Sequence, residues 1–589
     1  MPNGRHARRP KAPRSAARTE HRERAPTRAR PAHRIRRTGD SPCVSRSSTR
    51  RGSTSCRASP TSRCWPTAWR RWASCSSRAG SEKHGHPTQL HDCLGPHSPP
   101  GIEANAEIVL ATEPELVGFS ATTSSFMDAV DMAEHIKRKR PHVKVVVGNV
   151  HVSSLGTPVL DHFPEIDYLV IGEGEGALLD LCEGKALSDI GNLCWRDASG
   201  RAIFNERRSR IIELDELPFP AYEKLRGFPR DYHMPLFTYE LRYGATMVGS
   251  RGCPYTCSFC DRTVFERLYK TNSPEYTVEH MKYLRDRFDV HHINFYDDLF
   301  TASKKRVEGL TELLITKPLR MQFNCAIRAG HTSPEMLRRL KRAGALMVSL
   351  GIESADPQMM LRHKAGVTLD QVRQTVRDIH AAGLRAKGLF IFGMPGETEQ
   401  TFRTTSDFIL ELGLDEMNMT KFAPLHGAPI WEECLSGESG TFDEDWRLMN
   451  CLNFVYKPHA FATREEMDAL YNWHVMRFYN GRQYHRKFAR RLWQHRWSLW
   501  HLAKHVPQTV KAMRYFKKNK DELERIKREF KRHPRQPVGL MPVLSPEIAA
   551  DNIAAMQRDG RHEPVNVKPV KMTWARSPLA ENAEARPAP

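Results

Sequence analysis

Two hydrophobic periods alternate along the chain from about residue 102 onward. Short apolar runs read as strands: Leu116-Val117-Gly118-Phe119-Ser120, Val143 to Gly148, and Tyr168-Leu169-Val170-Ile171-Gly172. Between the first two, Met127 to Arg140 carries Val130, Ala133 and Ile136 at helical spacing. This βαβ alternation predicts a parallel sheet with helices on both faces. Ligands of such sheets lie at the carboxyl ends of the strands. Here those ends are the loops Ser120 to Ser125, Gly148 to Ser153 and Gly172 to Glu175.

After a turn-rich linker, Leu217-Pro218-Phe219-Pro220, a second series begins. The pattern predicts strands at 245–249, 292–296, 320–326, 346–351, 387–392 and 415–420, with helices near 275–287, 303–315, 333–343, 368–382 and 399–412. Six βα units predict a partial barrel, with functional groups at the carboxyl ends of its strands. Chemistry-bearing residues fall at those ends: Cys253 to Cys260, Asp297-Asp298, Arg328, Glu353-Ser354, and Gly393-Met394-Pro395-Gly396-Glu397.

The cysteines carry the sharpest signal. Ser250-Arg251-Gly252-Cys253-Pro254-Tyr255-Thr256-Cys257-Ser258-Phe259-Cys260 holds three thiols spaced C-x3-C-x2-C directly after an apolar run. Three thiolates on so tight a loop suit three irons of a [4Fe–4S] cube and leave the fourth open for chemistry. Zinc is the bland alternative, but zinc sites usually pair two knuckles or add histidine, and no second knuckle lies nearby. Cys182, Cys194, Cys325, Cys434 and Cys451 are scattered and read as small core residues. His291-His292 reads as strand-edge polarity rather than a metal pair.

Composition changes the picture at the ends of the chain. The net charge of +22 over 589 residues suggests a polyanion partner at first sight. Residues 1–80, however, hold 21 Lys and Arg against 3 Asp and Glu, and 477–535 hold 19 against 4, so the remainder is net acidic. No nucleic-acid partner is expected. Thirteen cysteines in a chain of this length do not make a disulfide framework, and no run reaches the ~18 apolar residues of a membrane span. A reducing cytoplasm is the expected location.

Residues 1–80 are Arg, Ser, Pro and Ala without aliphatic periodicity and cannot build a core. They read either as a disordered basic tail or transit peptide or as an out-of-frame segment. Cys64 to Ala73 back-translates in part, because Trp has one codon. Read from the third base of each codon, it gives Leu, Ala, one of Tyr/His/Asn/Asp, a small or polar residue or Arg, Leu/Met/Val and Ala. One variable position follows, then Leu/Met/Val and Gly. That amphipathic pattern runs into Lys83-His84-Gly85-His86, where the chain begins to look globular.

Residues 240–460 resemble a radical S-adenosylmethionine (radical SAM) core, on the cysteine triad and the strand-end residues above. The resemblance implies that Cys253, Cys257 and Cys260 ligate the cluster and that Phe259 flanks the adenine through its backbone. Asp297 and Asp298 stand where other members carry Gly-Gly-Glu to hold the amino group. Arg328 would pair with the methionyl carboxylate, and Glu353 with the ribose or methionyl part. Against these roles, Glu353 and Arg328 equally suit a structural ion pair, and either aspartate a helix cap.

Residues 81–215 resemble the cobalamin-binding domain that precedes the core in one class of these enzymes. Val145 to His151 is similar to V-V-x-G-G-x-H, with Asn149 at the second glycine, and Asp167 to Glu175 to D-x-x-x-x-G-E-G-E. Ser120, Gly148, His151, Gly172 and Glu173 are the implied cofactor contacts. No D-x-H-x-x-G is present, so a His-off mode is implied, and His151 otherwise caps a loop. The family's opening strand and helix have no counterpart in the frame as read.

The expected fold is therefore α/β: a Rossmann-like cobalamin-binding domain, a partial (β/α)6 radical SAM barrel, and a helical basic region at 463–535. Residues 536–589, rich in Pro and Ala, read as a disordered tail. Trp493, Trp497 and Trp500 share one helix face near Arg490, Arg491 and Arg496. That stripe suits either peripheral membrane contact through 490–504 or a cap packed on the barrel.

The expected cofactors are a [4Fe–4S] cluster, S-adenosylmethionine and cobalamin, with a flavodoxin- or ferredoxin-type electron donor. The expected chemistry is reductive cleavage to a 5′-deoxyadenosyl radical, then methylation or oxidative cyclisation of an unactivated carbon in a tetrapyrrole, hopanoid or other natural product. This layout is similar to the anaerobic magnesium-protoporphyrin monomethyl ester cyclases and the B12-dependent methyltransferases. A tRNA methylthiotransferase would need three further cysteines in the first domain, where only Cys182 stands. A non-catalytic electron-transfer protein would need a fourth cluster ligand.

Overall fold

The computed structural model describes residues 81–205, 213–232, 243–266, 268–364, 366–494, 503 and 532–557. Residues 1–80 lie outside them, as do Trp497 and Trp500.

The first domain opens with α1 (Ile102–Leu110). It then alternates β1 (Leu116–Ser120), α2 (Thr123–Lys139), β2 (Lys144–Gly148), α3 (Val150–Leu155), α4 (Pro158–His162), β3 (Tyr168–Val170) and α5 (Glu175–Cys182). β1, β2 and β3 pair in parallel, while β4 (Leu193–Arg196) and β5 (Ala202–Phe204) extend the sheet antiparallel. On one face α2 buries Phe126, Met127 and Val130 with Val145, Val147 and Leu169. Each such side chain contributes about 1.5–3 kcal/mol. The hydrophobic pattern did not single out β4 and β5, which pair antiparallel at the edge of the sheet.

The second domain repeats strand and helix. The order is β6 (Gly244–Met247), the two-residue strands β7 (Ser250–Arg251) and β8 (Lys270–Thr271), α6 (Pro274–Phe288), β9 (His292–Phe295), α7 (Lys304–Thr316), β10 (Gln322–Ile327) and α8 (Pro334–Arg342). Then come β11 (Ala345–Glu353), α9 (Pro357–His363), α10 (Leu369–Ala381), β12 (Arg385–Phe392), α11 (Glu399–Glu411) and β13 (Glu416–Lys421). β6, β9, β10, β11, β12 and β13 lie side by side in sequence order, and every pairing is parallel. This is the six-stranded partial barrel expected.

Local chemistry starts each helix. Ser273, Ser303, Ser333, Asp356, Thr368 and Thr398 each accept a first-turn N–H, and Pro274, Pro334 and Pro357 follow their caps. Neither Asp297 nor Asp298 caps α7; Ser303 does. His292 is fully buried within the sheet rather than edge polarity, and burial holds its imidazole down at about 3.

Beyond the barrel come α12 (Trp431–Ser436), the β14 (Gly440–Phe442) and β15 (Tyr456–Pro458) hairpin, α13 (Arg464–Tyr479) and α14 (Arg482–Gln494). α13 caps the barrel, burying Met467, His474 and Phe478. No helix among the described residues is long and apolar enough to cross a membrane.

The tail expectation fails for residues 536–557. The segment at 532–557 straps both domains and ends in α15 (Pro546–Gln557). Arg535 reaches both Glu165 oxygens at 2.8 Å and His533 reaches Asp131 at 2.8 Å. Asn552 accepts from Arg262 at 2.6 Å, and Val543 N–H donates to Ser154 at 2.9 Å. Its order comes from polar ties to other elements, which a composition reading does not count.

Candidate functional site

The cysteine loop leaves the barrel just after β6. Gly252 fixes its entry: φ is +83°, and a Cβ there would fall 1.9 Å from the Leu268 carbonyl oxygen. Cys253, Cys257 and Cys260 are partly accessible, whereas Cys194, Cys325 and Cys434 are buried in cores. A hydrogen bond from Cys260 lowers the Cys257 thiol, with the Lys364 and Arg328 cations adding to the effect. Burial pushes Cys253 up to about 11. Among the described residues, no three His, Cys, Asp or Glu side chains converge on a single metal ion.

His363 locks the loop in place. Ser258 Oγ lies 2.7 Å from His363 Nδ1, and His363 Nε2 lies 2.8 Å from the Pro395 carbonyl. The carbonyl can only accept, so Nε2 carries the proton and Nδ1 accepts from the serine. Phe259 packs against the small apolar cluster that holds Met359, Met394, Phe422 and Ile430.

The two aspartates separate. Asp297 is buried and accepts from Gly249 N–H at 2.7 Å, Ser250 Oγ at 2.6 Å and Arg306 at 3.1 Å. It ties the strand ends together and has no face toward a ligand, which corrects the cofactor role expected of it. Asp298 is accessible and accepts from Gly252 N–H at 2.9 Å.

Arg328 lies over the Tyr255 ring, 3.9 Å from its centroid, and the Tyr255 hydroxyl bonds His331. The Glu353–Arg328 ion pair is not the one formed. Glu353 pairs with Lys364 at 2.8 Å, from a backbone with φ of 68°.

Glu397 ends the Gly393–Glu397 turn. It is 1 % exposed and accepts from Gly393 N–H at 2.7 Å, and burial pushes its carboxyl up to about 8. A carboxyl whose pKa is raised on folding binds more protons in the native state, so stability falls as pH rises from about 4.5 through about 8. Denaturant titrations at pH 6 and pH 8 should show a loss of about 2–3 kcal/mol from this group, absent in Glu397→Gln.

In the first domain a cavity of about 1400 Å³ runs along one face of β1, β2 and β3. Ser120, Gly148, Gly172 and Glu173 line it, as expected of the strand-end loops. Asn149 has φ of 96° and caps α3 by accepting from Val150 N–H, and its Nδ2 donates to Ser120 Oγ at 3.0 Å. That left-handed backbone accounts for the glycine of the resembled pattern. His151 does not line the cavity. It is buried between Phe126 and Trp446, at ring distances of 4.4 and 4.5 Å, and burial holds it well below the usual imidazole range. Its Nδ1 lies 3.3 Å from Thr123 Oγ1, so it ties the Ser120 to Ser125 loop from within an aromatic core, in place of the cofactor contact expected of it. The cavity exceeds the ~300–1,000 Å³ of drug-sized pockets.

Arg251 joins the two regions. Its guanidinium, 4 % exposed, bonds Glu173 and Glu175 at 2.6 Å each, and Lys270 reaches Glu173 at 3.1 Å. Sequence reasoning singled out neither Arg251 nor His363, Lys364 or His331. Each acts through a partner remote in sequence and leaves no local signature.

Residues 247–409 match the radical SAM superfamily, and residues 78–182 match the B12 binding domain. An uncharacterized methyltransferase of Pyrococcus horikoshii is 29% identical over 382 residues, 64% of this chain and 80% of the relative. The anaerobic magnesium-protoporphyrin IX monomethyl ester cyclase of Rubrivivax gelatinosus is 24% identical over 417 residues, 69% of this chain and 72% of that one. Among solved structures, the cobalamin-dependent S-adenosylmethionine radical enzyme OxsB with aqua-cobalamin bound shares the fold at a TM-score of 0.57 and 16% identity, covering 82% of this chain and 77% of that one. The radical S-adenosylmethionine methyltransferase TsrM of Kitasatospora setae does so at 0.53 and 18%, covering 69% and 80%. The chain is a radical SAM enzyme carrying a B12-binding domain, with a [4Fe–4S] cluster, S-adenosylmethionine and cobalamin as its cofactors.

Proposed function

We propose that this enzyme methylates an unactivated carbon of an apolar organic substrate. Cys253, Cys257 and Cys260 hold the cluster. Asp298 takes the amino group of S-adenosylmethionine, and Arg328 takes its carboxylate. Glu353, held by Lys364, faces the ribose or methionyl part, and the Phe259 backbone flanks the adenine. The corrinoid lies over Ser120, Gly148, Gly172 and Glu173, at the carboxyl ends of β1, β2 and β3.

One observation carries the reading: Arg251, two residues before Cys253, is bonded at 2.6 Å to Glu173 and Glu175 beside the cavity. The loops assigned to the two cofactors are thus neighbours in one site. When bound, the cluster and S-adenosylmethionine supply a carbon-centred radical on accepting one electron from a flavodoxin- or ferredoxin-type donor, and cobalamin supplies a transferable methyl group. The relatives include a hopanoid C-2 methylase, a bacteriochlorophyllide d C-12(1)-methyltransferase and the cyclase already named. They support a tetrapyrrole, hopanoid or other natural product as the substrate class.

Anaerobic reconstitution with iron, sulfide and hydroxocobalamin tests this. Dithionite should release 5′-deoxyadenosine, and methyl-deuterated S-adenosylmethionine should pass label to a tetrapyrrole or hopanoid acceptor. A reconstituted protein that binds corrinoid but yields a dehydrogenated, ring-closed product without label would overturn methylation in favour of cyclisation.

A further inference from the structure

We propose that Arg251 is a positioning residue that fixes the corrinoid loop against the cluster loop and so sets the separation of the two cofactors. Its guanidinium forks between two carboxylates of the first domain, Glu173 and Glu175. Both follow β3 on the loop that lines the cavity. Lys270, directly across the β7–β8 ladder from Arg251, binds the second oxygen of Glu173 at 3.1 Å. Two cations of one hairpin thus grip two anions at the carboxyl end of β3, and the guanidinium itself is buried. A planar fork between two carboxylates fixes orientation as well as distance, which an ammonium does not. Reactions between two held groups lose about 100-fold for ~1 Å of misplacement, so a rigid tie here serves the chemistry.

The inference rests on the cofactor assignments above, and two measurements separate their failure from its own. In the apo chain, hydrogen exchange over residues 172–182 should rise by roughly ten-fold or more in Arg251→Gln. In reconstituted protein, pulsed electron paramagnetic resonance between cob(II)alamin and the reduced cluster should give one narrow distance. Arg251→Gln should widen that distribution by roughly two-fold, with iron content and corrinoid uptake unchanged. Arg251→Lys should fall between. Glu175→Gln, which keeps its shape and an acceptor oxygen, should widen it in the same direction should Arg251→Gln fail to fold. An unchanged distribution in folded Arg251→Gln overturns the proposal and leaves Arg251 a stability residue. A parent chain that takes up no corrinoid overturns the cofactor assignment itself, and the positioning role with it.

Discussion

Alanine at Cys253, Cys257 or Cys260 is expected to remove the cluster and to cut reductive cleavage of S-adenosylmethionine by roughly 100-fold or more, about 2.7 kcal/mol of barrier or above. The loop offers no substitute ligand. Its remaining side chains are neutral or aromatic, and the thiols nearest in kind, Cys325 and Cys434, are buried in separate cores. Those two serve as internal controls. Cys325→Ala and Cys434→Ala each remove a small buried group and should lower the melting temperature while leaving iron content, the reduced-cluster resonance signal and 5′-deoxyadenosine formation intact. Iron and acid-labile sulfide per chain, measured beside product, check both halves. Full iron in Cys257→Ala with cleavage retained would remove the triad from the chemistry.

The barrel was legible because its signals are local. Strands of four to nine residues alternate with capped helices, and both periods survive in a single sequence. The cysteine loop was legible for the same reason, being eight residues long from first thiol to last. What escaped was every residue whose meaning depends on a remote partner. Arg251 reads as an ordinary charge until β3 brings Glu173 and Glu175 to it. His363 reads as the end of an amphipathic helix until Ser258 and Pro395 close on its two nitrogens. Glu353 was matched with Arg328 because both stand at strand ends, yet Lys364, carried back by α9, is the cation that reaches it. His151 carries a motif but points into an aromatic core, a choice of face that spacing does not encode.

Asp297 and Asp298 show the same limit on adjacent residues, and their variants should diverge sharply. Neighbouring side chains on extended backbone leave on opposite sides, so a pair at a strand end places one inward and one toward the mouth. Asp297 went inward. Asp297→Ala strands the Arg306 guanidinium, which is 3 % exposed, together with the Gly249 N–H and the Ser250 hydroxyl. Breaking a buried pair from one side costs about 3–5 kcal/mol, and at roughly 2–4 °C per kcal/mol for a domain of this size the melting temperature should fall by about 6–20 °C. Asp298→Asn keeps an acceptor for the Gly252 N–H and loses only charge at an accessible position, so stability should hardly move. Its effect should fall on ligand binding instead. Losing a charged hydrogen bond to an ammonium costs about 1.5–3 kcal/mol, or roughly 10- to 150-fold in the dissociation constant of S-adenosylmethionine. Thermal melts and equilibrium dialysis on the two variants separate the roles. Equal loss of affinity in a folded Asp297→Asn would return that carboxylate to the ligand site.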